Sequence, residues 1–451
     1  MTAWKRMEVT GWGRVPRVLA EIARPERDAE LDRIVQAGTG PLLAMGASRS
    51  YGDAGQPVPG GRGLLTTRLD RVLAFDPEAG TITVEPGVTF ADLHRHFLPR
   101  GWLAPAIPGT AFATIGGALA NDVHGKNQAA AGSFGDHVRS VELLTADGQR
   151  RTVDRDSDPE LLRATIGGLG LTGIVTRVTF ALQRVPSNAV TLTERRIDGL
   201  DAFLAAFEAA RDATYSVGWI DALASGRSLG RGILETAEHA ATSVAPVPPR
   251  QRTVPVDLPS FAMSAASTRL FNAWWWRRIP AEGRTRSVTI PAFLHPLDGL
   301  RQWNRIYGRQ GFRQFQCVVP FEGGEASLRR LLEEIGRHGQ ASFLAVLKAF
   351  GRQGTGHLSF CMPGWTLAID LPERKGVTEL LGALERIVLD AGGRIYLAKD
   401  SRLSAEGFAR MYPELDRFRA VLGRVDPDGR WQSGLSRRLG IHAPLQEAIH
   451  G

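Results

Sequence analysis

The sequence of 451 residues is poor in cysteine and lysine and has no long apolar run. Cys317 and Cys361 stand alone, which excludes a disulfide framework and the cysteine spacing of a metal site. No stretch of about 18 residues is both apolar and uncharged, so we expect no membrane-spanning helix. The first 15 residues carry charge but lack the apolar core of a signal peptide, and the expected location is the cytoplasm.

The basic residues are almost all arginine. The net charge is +8, yet only five of the 55 basic residues are lysine. The arginines are spread along the chain and form no module typical of nucleic-acid binders, so nucleic acid is not an expected partner. Lysine differs from arginine where a compact charge or a shiftable pKa is needed. Lys126, Lys348 and Lys399 are therefore candidate functional residues, whereas chance accounts for Lys5 and Lys375.

The length of the chain predicts two domains. In the first part, strands are predicted at residues 42–45, 72–75, 81–84 and 138–144, and helices begin after Thr89 and Asp158. From about residue 190 to 393, helices such as 200–210 alternate with strands such as 314–320 and 366–371. Residues 240–290 are rich in proline, serine and arginine, which predicts a long surface excursion or lid.

Residues 168–173 match the pattern G-x-G-x-x-G. In nicotinamide-binding proteins that fingerprint follows a strand and opens a helix. Here the predicted order is inverted, because a helix at 159–165 precedes the glycines and a strand at 174–182 follows them. We therefore reject a Rossmann site at this position, although glycine-rich backbone can still approach a nucleotide closely.

Two other glycine-rich segments are stronger candidates for a nucleotide site. Residues 46–53 follow a predicted strand and offer backbone N–H groups and hydroxyls as a cradle for a diphosphate. Residues 108–127 contain a Gly–Gly pair and end in a cluster of polar side chains. One such loop is more often an ordinary turn, but two of them joined by strand signals favour a bound nucleotide.

Motifs of several residues carry a family resemblance. The longest are residues 49–53, 124–127, 131–140, 171–174 and 398–402, and shorter ones are 10–14, 218–222, 295–298, 303–305 and 436–439. They resemble the decaprenylphosphoryl-β-D-ribose 2′-oxidases of the vanillyl-alcohol-oxidase superfamily, whose FAD-binding domain is of the PCMH type. The resemblance is weakest across residues 240–290.

The resemblance implies an α+β flavoprotein of two domains. Residues 1–187 and 394–451 would form an FAD-binding domain of two α/β subdomains. Residues 188–393 would form a substrate domain with an antiparallel sheet that caps the flavin, and residues 240–290 would be its mobile segment.

The implied reaction is oxidation of the ribose 2′-hydroxyl of a polyprenyl-phosphate ribose to a 2′-keto sugar. A short-chain dehydrogenase/reductase partner would then reduce the keto sugar to arabinose for cell-envelope synthesis. Because the lipid lies in a membrane, peripheral contact with an anionic inner leaflet is expected. Indoles beside cations at Trp274, Trp275, Trp276, Arg277 and Arg278 predict that contact, and the alternative is that the indoles pack under a lid.

Three positions depart from patterns common among the relatives. Many members of the superfamily bond the flavin to a histidine of the first glycine loop, and Arg49 stands at that position here. FAD is therefore expected to be held non-covalently. A cysteine and a tyrosine common on the substrate side are replaced by Ala368 and Leu294, which leaves the exact lipid-linked sugar open.

The expected site has catalytic, cofactor and substrate residues and no metal. Lys399 is the expected cation for hydride transfer, and His124, Tyr51 or Lys399 is the base that takes the alcohol proton. The expected cofactor residues are Gly46, Ala47, Ser48, Arg49, Ser50, Tyr51, Gly52, Pro108, Gly109, Thr110, Thr114, Gly116, Gly117, Asn121, Asp122, His124, Gly125, Asn127, Gly173, Ile174 and Tyr396. The expected substrate residues are Lys126, Trp219, Gln314, Gln316, Lys348, Phe350, Ala368 and Leu294.

Two other functions compete with this interpretation. A soluble sugar or alditol oxidase would use the same fold with free polyols and oxygen. A non-catalytic flavin-binding module would have lost the catalytic side chains, yet Lys399, His124 and Tyr51 are present.

Overall fold

The structure is a computed structural model of the chain, and it describes residues 3–38, 40–245, 252–340 and 342–442. The strands are β1 Lys5–Thr10, β2 Arg17–Ala23, β3 Leu42–Met45, β4 Arg62–Leu65, β5 Val72–Asp76, β6 Thr81–Val84, β7 Trp102–Leu103, β8 Val138–Leu144, β9 Arg150–Asp154, β10 Ile174–Ala181, β11 Gln183–Arg184, β12 Ala189–Ile197, β13 Tyr215–Ile220, β14 Gly232–His239, β15 Arg252–Thr253, β16 Arg284–Thr289, β17 Leu300–Arg301, β18 Phe312–Val319, β19 Ala345–Phe350, β20 Gly364–Pro372 and β21 Arg394–Ile395. The helices are α1 Asp28–Ala37, α2 Phe90–His96, α3 Ile115–Ala120, α4 Gln128–Ala131, α5 Pro159–Thr165, α6 Leu200–Ala209, α7 Ala265–Arg277, α8 Ile290–Leu294, α9 Gly324–His338, α10 Val377–Asp390, α11 Ala405–Met411, α12 Leu415–Val425 and α13 Gly434–Arg438.

The strands form two groups of sheets. The first group lies before Leu182 and has a four-stranded sheet in the order β1-β2-β4-β3 and a five-stranded antiparallel sheet in the order β5-β6-β10-β8-β9. The second is an eight-stranded antiparallel sheet in the order β16-β12-β14-β13-β19-β20-β18-β21. This arrangement confirms the α+β fold of two sheet assemblies. The domain limits stay a prediction, and the short strand β21 at residues 394–395 pairs with the larger sheet.

The hairpin and the helix caps that the sequence predicts in the first part of the chain are confirmed. β5 and β6 pair as an antiparallel hairpin. Thr89 caps α2, with a capping box to Asp92, and the Asp158 side chain accepts from Leu161 N at the start of α5. The glycines at 168–173 follow α5 and precede β10, so the inverted order that excludes a Rossmann site is also confirmed.

The C-terminal helices return to the first part of the chain. Trp431 forms an isolated bridge with Leu42, and Ser433 forms one with Pro57. On α13, Arg438 donates two hydrogen bonds of 2.9 Å to the Asp53 carboxylate. Its Nη2 also donates to Asp400 at 2.7 Å. These bonds tie the first glycine loop to the segment that carries Lys399.

The predicted excursion at residues 240–290 is only partly correct. Residues 284–289 form β16, which pairs antiparallel with β12 at the edge of the large sheet, so the excursion ends before them. The same segment contains α7, whose Asn272 is buried and donates to Asp221 at 2.7 Å. Residues 246–251 lie outside the described residues. The mobility of this segment stays a prediction.

Among the described residues, no helix is long and apolar enough to cross a bilayer.

Candidate active site

One large cavity lies where the glycine loops meet the eight-stranded sheet. Its volume is about 1160 Å³, and its wall contains residues of both sheet assemblies. Ligand pockets usually measure about 300–1,000 Å³. The cavity is therefore large enough for a dinucleotide together with part of a second molecule.

The first glycine loop forms one wall through close backbone packing. A side chain at Gly46 would overlap Thr114 Oγ1, and one at Gly52 would overlap the carbonyl oxygen of Asp400. The backbone N–H of Tyr51 donates to Ala398 O at 3.0 Å. Only glycine permits these approaches, which bring the loop against the segment that carries Lys399.

The second glycine loop forms the adjoining wall. Thr114 caps α3 by accepting from Gly117 N at 3.2 Å. Asn121 donates to Gly117 O at 2.8 Å, and its Oδ1 is a buried atom without a hydrogen-bond partner among the described residues. An acceptor left unpaired in a protein interior indicates that a ligand completes its bonding.

The large sheet presents a row of cross-strand neighbours to the cavity. Gln316 on β18 faces Ala368 on β20, Ala368 faces Val346 on β19, and Val346 faces Trp219 on β13. All four line the cavity, as do Gln314 and Lys348, which lie two residues further along the same faces. The alternation predicted for the two glutamines is therefore confirmed.

Lys399 and Tyr51 are in direct contact. The Nζ of Lys399 lies 3.8 Å from the centroid of the Tyr51 ring. Burial lowers the pKa of Lys399 to about 7, with Lys348 adding to the shift and Asp370 opposing it. Burial and the charge of Asp370 raise the pKa of Tyr51 well above its usual range. Near neutral pH Lys399 can thus change protonation, whereas Tyr51 stays a phenol.

His124 lies in an aromatic setting. Its ring packs against Phe350, Phe360 and Tyr396, and its Nε2 lies 3.0 Å from Nε2 of Gln316. Burial, Lys348 and Lys399 lower its pKa well below the usual range. His124 is therefore a neutral imidazole. An amide nitrogen can only donate, so Gln316 donates to Nε2 and occupies its lone pair.

Two further lysines line the cavity. Lys126 donates to Phe293 O at 2.6 Å and lies 3.6 Å from the Glu235 carboxylate. Burial lowers the pKa of Lys348 to about 8. Within the described part of the chain no carboxylate lies within 4 Å of Lys348, so its charge is available for an anionic ligand.

Most of the expected site residues meet in this cavity, and four do not. Asp122 is buried and accepts from Ser133, Ser359 and the backbone of Gly135. The other three are Asn127, which donates to Pro105 O, Ile174, which packs in the core, and Phe350, which packs behind His124. The structure places these four outside the cavity wall.

Sequence reasoning missed several charged residues around the cavity. Glu194, Glu235, Arg278, Arg286 and Asp298 line it, and Asp370 lies directly behind the wall. The only signal for Asp370 was a carboxylate inside an otherwise apolar strand.

Comparisons with known proteins define the class. The family described as "FAD binding domain" matches residues 19–154, which include both glycine loops. A second family, described as "D-arabinono-1,4-lactone oxidase", matches residues 370–439. The open volume beside these loops and the unpaired Asn121 Oδ1 fit an FAD molecule. The protein is an FAD-dependent oxidoreductase that acts on a CH–OH group.

Individual relatives show to which family of FAD-dependent oxidases the chain belongs. The chain is 36% identical to the decaprenylphosphoryl-β-D-ribose oxidase of Mycolicibacterium smegmatis over 97% of its own length and 98% of the relative. It is 37% identical to an uncharacterised protein of Streptomyces coelicolor over 78% of its length and 100% of the relative. An alditol oxidase of a Streptomyces species matches at 30% over 46% of this chain and 49% of the relative. The chain belongs to the decaprenylphosphoryl-β-D-ribose oxidase family.

Non-covalent attachment of FAD remains a prediction. At the position of the flavin-bonding histidine, the Arg49 guanidinium lies 4.4 Å from the Trp12 ring centroid and cannot act as an imidazole nucleophile. Acid precipitation of the purified yellow protein should therefore release all flavin into the supernatant. Flavin that stays in the washed pellet would contradict the prediction and would direct attention to His124, which also lines the cavity.

The cavity wall also predicts how thiol reagents behave. Ala368 lines the cavity, whereas Cys317 and Cys361 are fully buried outside its wall. Burial also raises the pKa of both thiols, which keeps them protonated and unreactive. An electrophilic reagent that enters the flavin site should leave the unsubstituted protein unmodified. The same reagent should add one molecule to the Ala368→Cys variant, as measured by mass spectrometry of the intact protein. An adduct on the unsubstituted protein would overturn this assignment.

Proposed function

We propose that the protein oxidises the ribose 2′-hydroxyl of a polyprenyl-phosphate ribose to the 2′-keto sugar. The observation that carries the proposal is that Lys399 and Lys348 lie in the wall of one cavity together with both glycine loops. Bound FAD would accept the hydride from C2 of the sugar. The chain must then bind the sugar, orient it and take the hydroxyl proton.

Lys399 is the base that best fits the contacts. A general base works best when its pKa lies near the operating pH. Tyr51 would have to ionise against a strongly raised pKa, and the Nε2 lone pair of His124 is engaged by Gln316. Neutral Lys399 can take the hydroxyl proton and become an ammonium, while the C2 hydrogen leaves as hydride. His124 and Tyr51 would then position the sugar and the lysine.

The phosphodiester of the substrate would be held by a lysine. Its phosphate is attached at C1, next to the reacting carbon, so a cation must lie near Lys399. Lys348 is close enough to lower the pKa of Lys399 and has no carboxylate within 4 Å among the described residues. Gln314, Gln316 and Trp219 would line the sugar, and Ala368 would leave extra space there.

Product analysis tests the function. The holoenzyme is incubated with a short-chain polyprenyl-phosphate ribose and an artificial electron acceptor, and the sugar is analysed by mass spectrometry. The proposal predicts loss of two hydrogens from the ribose, with no peroxide from free polyols and oxygen. Peroxide from polyols together with an unchanged lipid-linked sugar would establish the alditol oxidase alternative instead. A reductase of the short-chain type would consume the keto product, since inversion at C2 requires its reduction.

Contact with a membrane is the remaining part of the proposal. On α7, Leu270 and Trp274 are exposed by 75% and 60%, whereas Phe271 and Trp275 on the neighbouring face line the cavity. The helix thus separates the cavity from solvent and is apolar on both sides. Trp276 packs inward and donates to Ile197 O at 3.1 Å, so it does not belong to the exposed face of α7.

The outward face of α7 should bind anionic vesicles. The variant Leu270→Ser/Trp274→Ser should sediment less with phosphatidylglycerol vesicles and show a raised KM for long-chain substrate, with a short-chain analogue unaffected. Leu19→Ser, which removes an exposed apolar side chain from β2, is the matched control. Vesicle binding that is equal in both variants would contradict membrane contact through α7.

A further inference from the structure

Asp370 is a buried carboxylate without a close cation. It is fully buried on β20, and no Lys, Arg or His nitrogen lies within 4 Å of it among the described residues. Its Oδ2 accepts from the Tyr307 hydroxyl at 2.9 Å, and its Oδ1 accepts from Nε2 of Gln314. A buried ionised carboxylate is costly unless hydrogen bonds or a cation compensate it.

The hydrogen bonds of Asp370 lead to the cavity. Gln314 is a polar neighbour of Tyr51 that lowers the pKa of its hydroxyl, and the Tyr51 ring contacts the Lys399 Nζ. Gln314, Tyr51 and Lys399 line the cavity, and Asp370 lies one residue behind them. Asp370 itself does not line the cavity, yet its bond to Gln314 fixes one side chain that does.

The charges around Lys399 leave Asp370 as its main counter-charge. Burial lowers the pKa of Lys399 to about 7, Asp370 opposes this shift, and Lys348 adds to it. The other groups that face the lysine, His124 and Tyr51, are uncharged near neutral pH. Burial raises the pKa of Asp370 to about 7, while its hydrogen bonds and Lys399 oppose that shift. The two groups titrate in one range and are coupled.

We propose that Asp370 is a positioning residue that controls the protonation of Lys399 by its charge and aligns Gln314 in the cavity wall by a hydrogen bond. The inference rests on the role of Lys399 in the proposed function. When Lys399 takes the proton of the sugar hydroxyl, the new ammonium interacts through space with the charge of the Asp370 carboxylate. The carboxylate stabilises the protonated lysine and so favours the forward transfer.

A titration without substrate tests the proposal. The visible absorbance of FAD in the oxidised holoenzyme is followed from roughly pH 4 to 9, a range that spans the titration of a lysine shifted to neutrality. The wild type should show a transition near pH 7, and in Lys399→Met only the part that belongs to Asp370 should remain. Removal of a facing carboxylate typically moves a pKa by about 1–3 units, so Asp370→Asn should lower the midpoint by that amount.

Two further variants complete the test. Tyr307→Phe keeps the carboxylate but removes one bond that favours its charged form, so a smaller shift in the same direction is expected. Asp298→Asn removes a cavity carboxylate that accepts from Ala111 N at 2.7 Å, and it should leave the midpoint unchanged.

The proposal is overturned if the wild type shows no transition that depends on Lys399, or if Asp370→Asn leaves its midpoint unchanged. Should Asp370→Asn fail to fold, an unchanged midpoint in Tyr307→Phe has the same consequence. Because no substrate is present, a shifted midpoint would stand even if lipid-linked ribose proved not to be the substrate.

Discussion

Lys399→Met should fold, bind FAD and lose at least about a hundredfold in the rate of flavin reduction, the loss typical when a preorganised charged group is removed. The substitution keeps the length of the side chain and removes both the base and the ammonium. Lys399→Arg should be nearly as poor, because a guanidinium cannot give up its proton and does not fit an ammonium site. The measurement is single-turnover flavin bleaching under anaerobic conditions.

Lys375→Met is the matched control for Lys399. Lys375 is exposed and lies outside the cavity, so its loss should leave flavin reduction unchanged. Reduction by Lys399→Met at a rate close to that of the wild type would exclude Lys399 as the base and would leave His124 as the next candidate.

Gly52→Ala should damage the site through the backbone. An added methyl group would overlap the carbonyl oxygen of Asp400. The backbone at Gly52 or at Asp400 would then have to shift, which would move Tyr51 away from Lys399. Overpacking of this kind typically costs about 1–3 kcal/mol of stability. A displacement of about 1 Å at a reacting group can reduce the rate about a hundredfold. Thermal unfolding and flavin reduction measure the two effects.

Gly40→Ala, at an exposed position outside the cavity wall, provides the control. No heavy atom lies within 4 Å of the position that its methyl group would take. Its stability and flavin reduction should therefore match those of the wild type. Equal behaviour of the two alanine variants would mean that contact between Gly52 and Asp400 does not position Tyr51.

Local signals in the sequence predicted much of the fold. The Thr89 and Asp158 caps, the hairpin of β5 and β6 and the alternation of Gln314 and Gln316 depend on neighbours in sequence, and the structure contains all of them. The site motifs were also sufficient to assemble most of the cavity wall, because the family resemblance aligned residues that are far apart in the chain.

Interactions between distant segments could not be predicted in the same way. Asp122 lies in a site motif, but its carboxylate bonds to Ser359, which is 237 positions away. Trp274, Trp275 and Trp276 are adjacent in sequence, but α7 directs one to solvent, one to the cavity and one to Ile197. The link between Asp370 and the cavity could be recognised only from the sheet register, which places Asp370 beside Gln314.

Anaerobic mixing of the oxidised holoenzyme with a polyprenyl-phosphate ribose tests the central claim most directly. The visible flavin absorbance should bleach in one turnover with formation of one equivalent of 2′-keto sugar. The matching 2′-deoxyribose lipid, which has no hydroxyl to oxidise, should bind without bleaching. Full retention of the oxidised spectrum with the ribose lipid, at concentrations where binding is saturated, would contradict the proposed function.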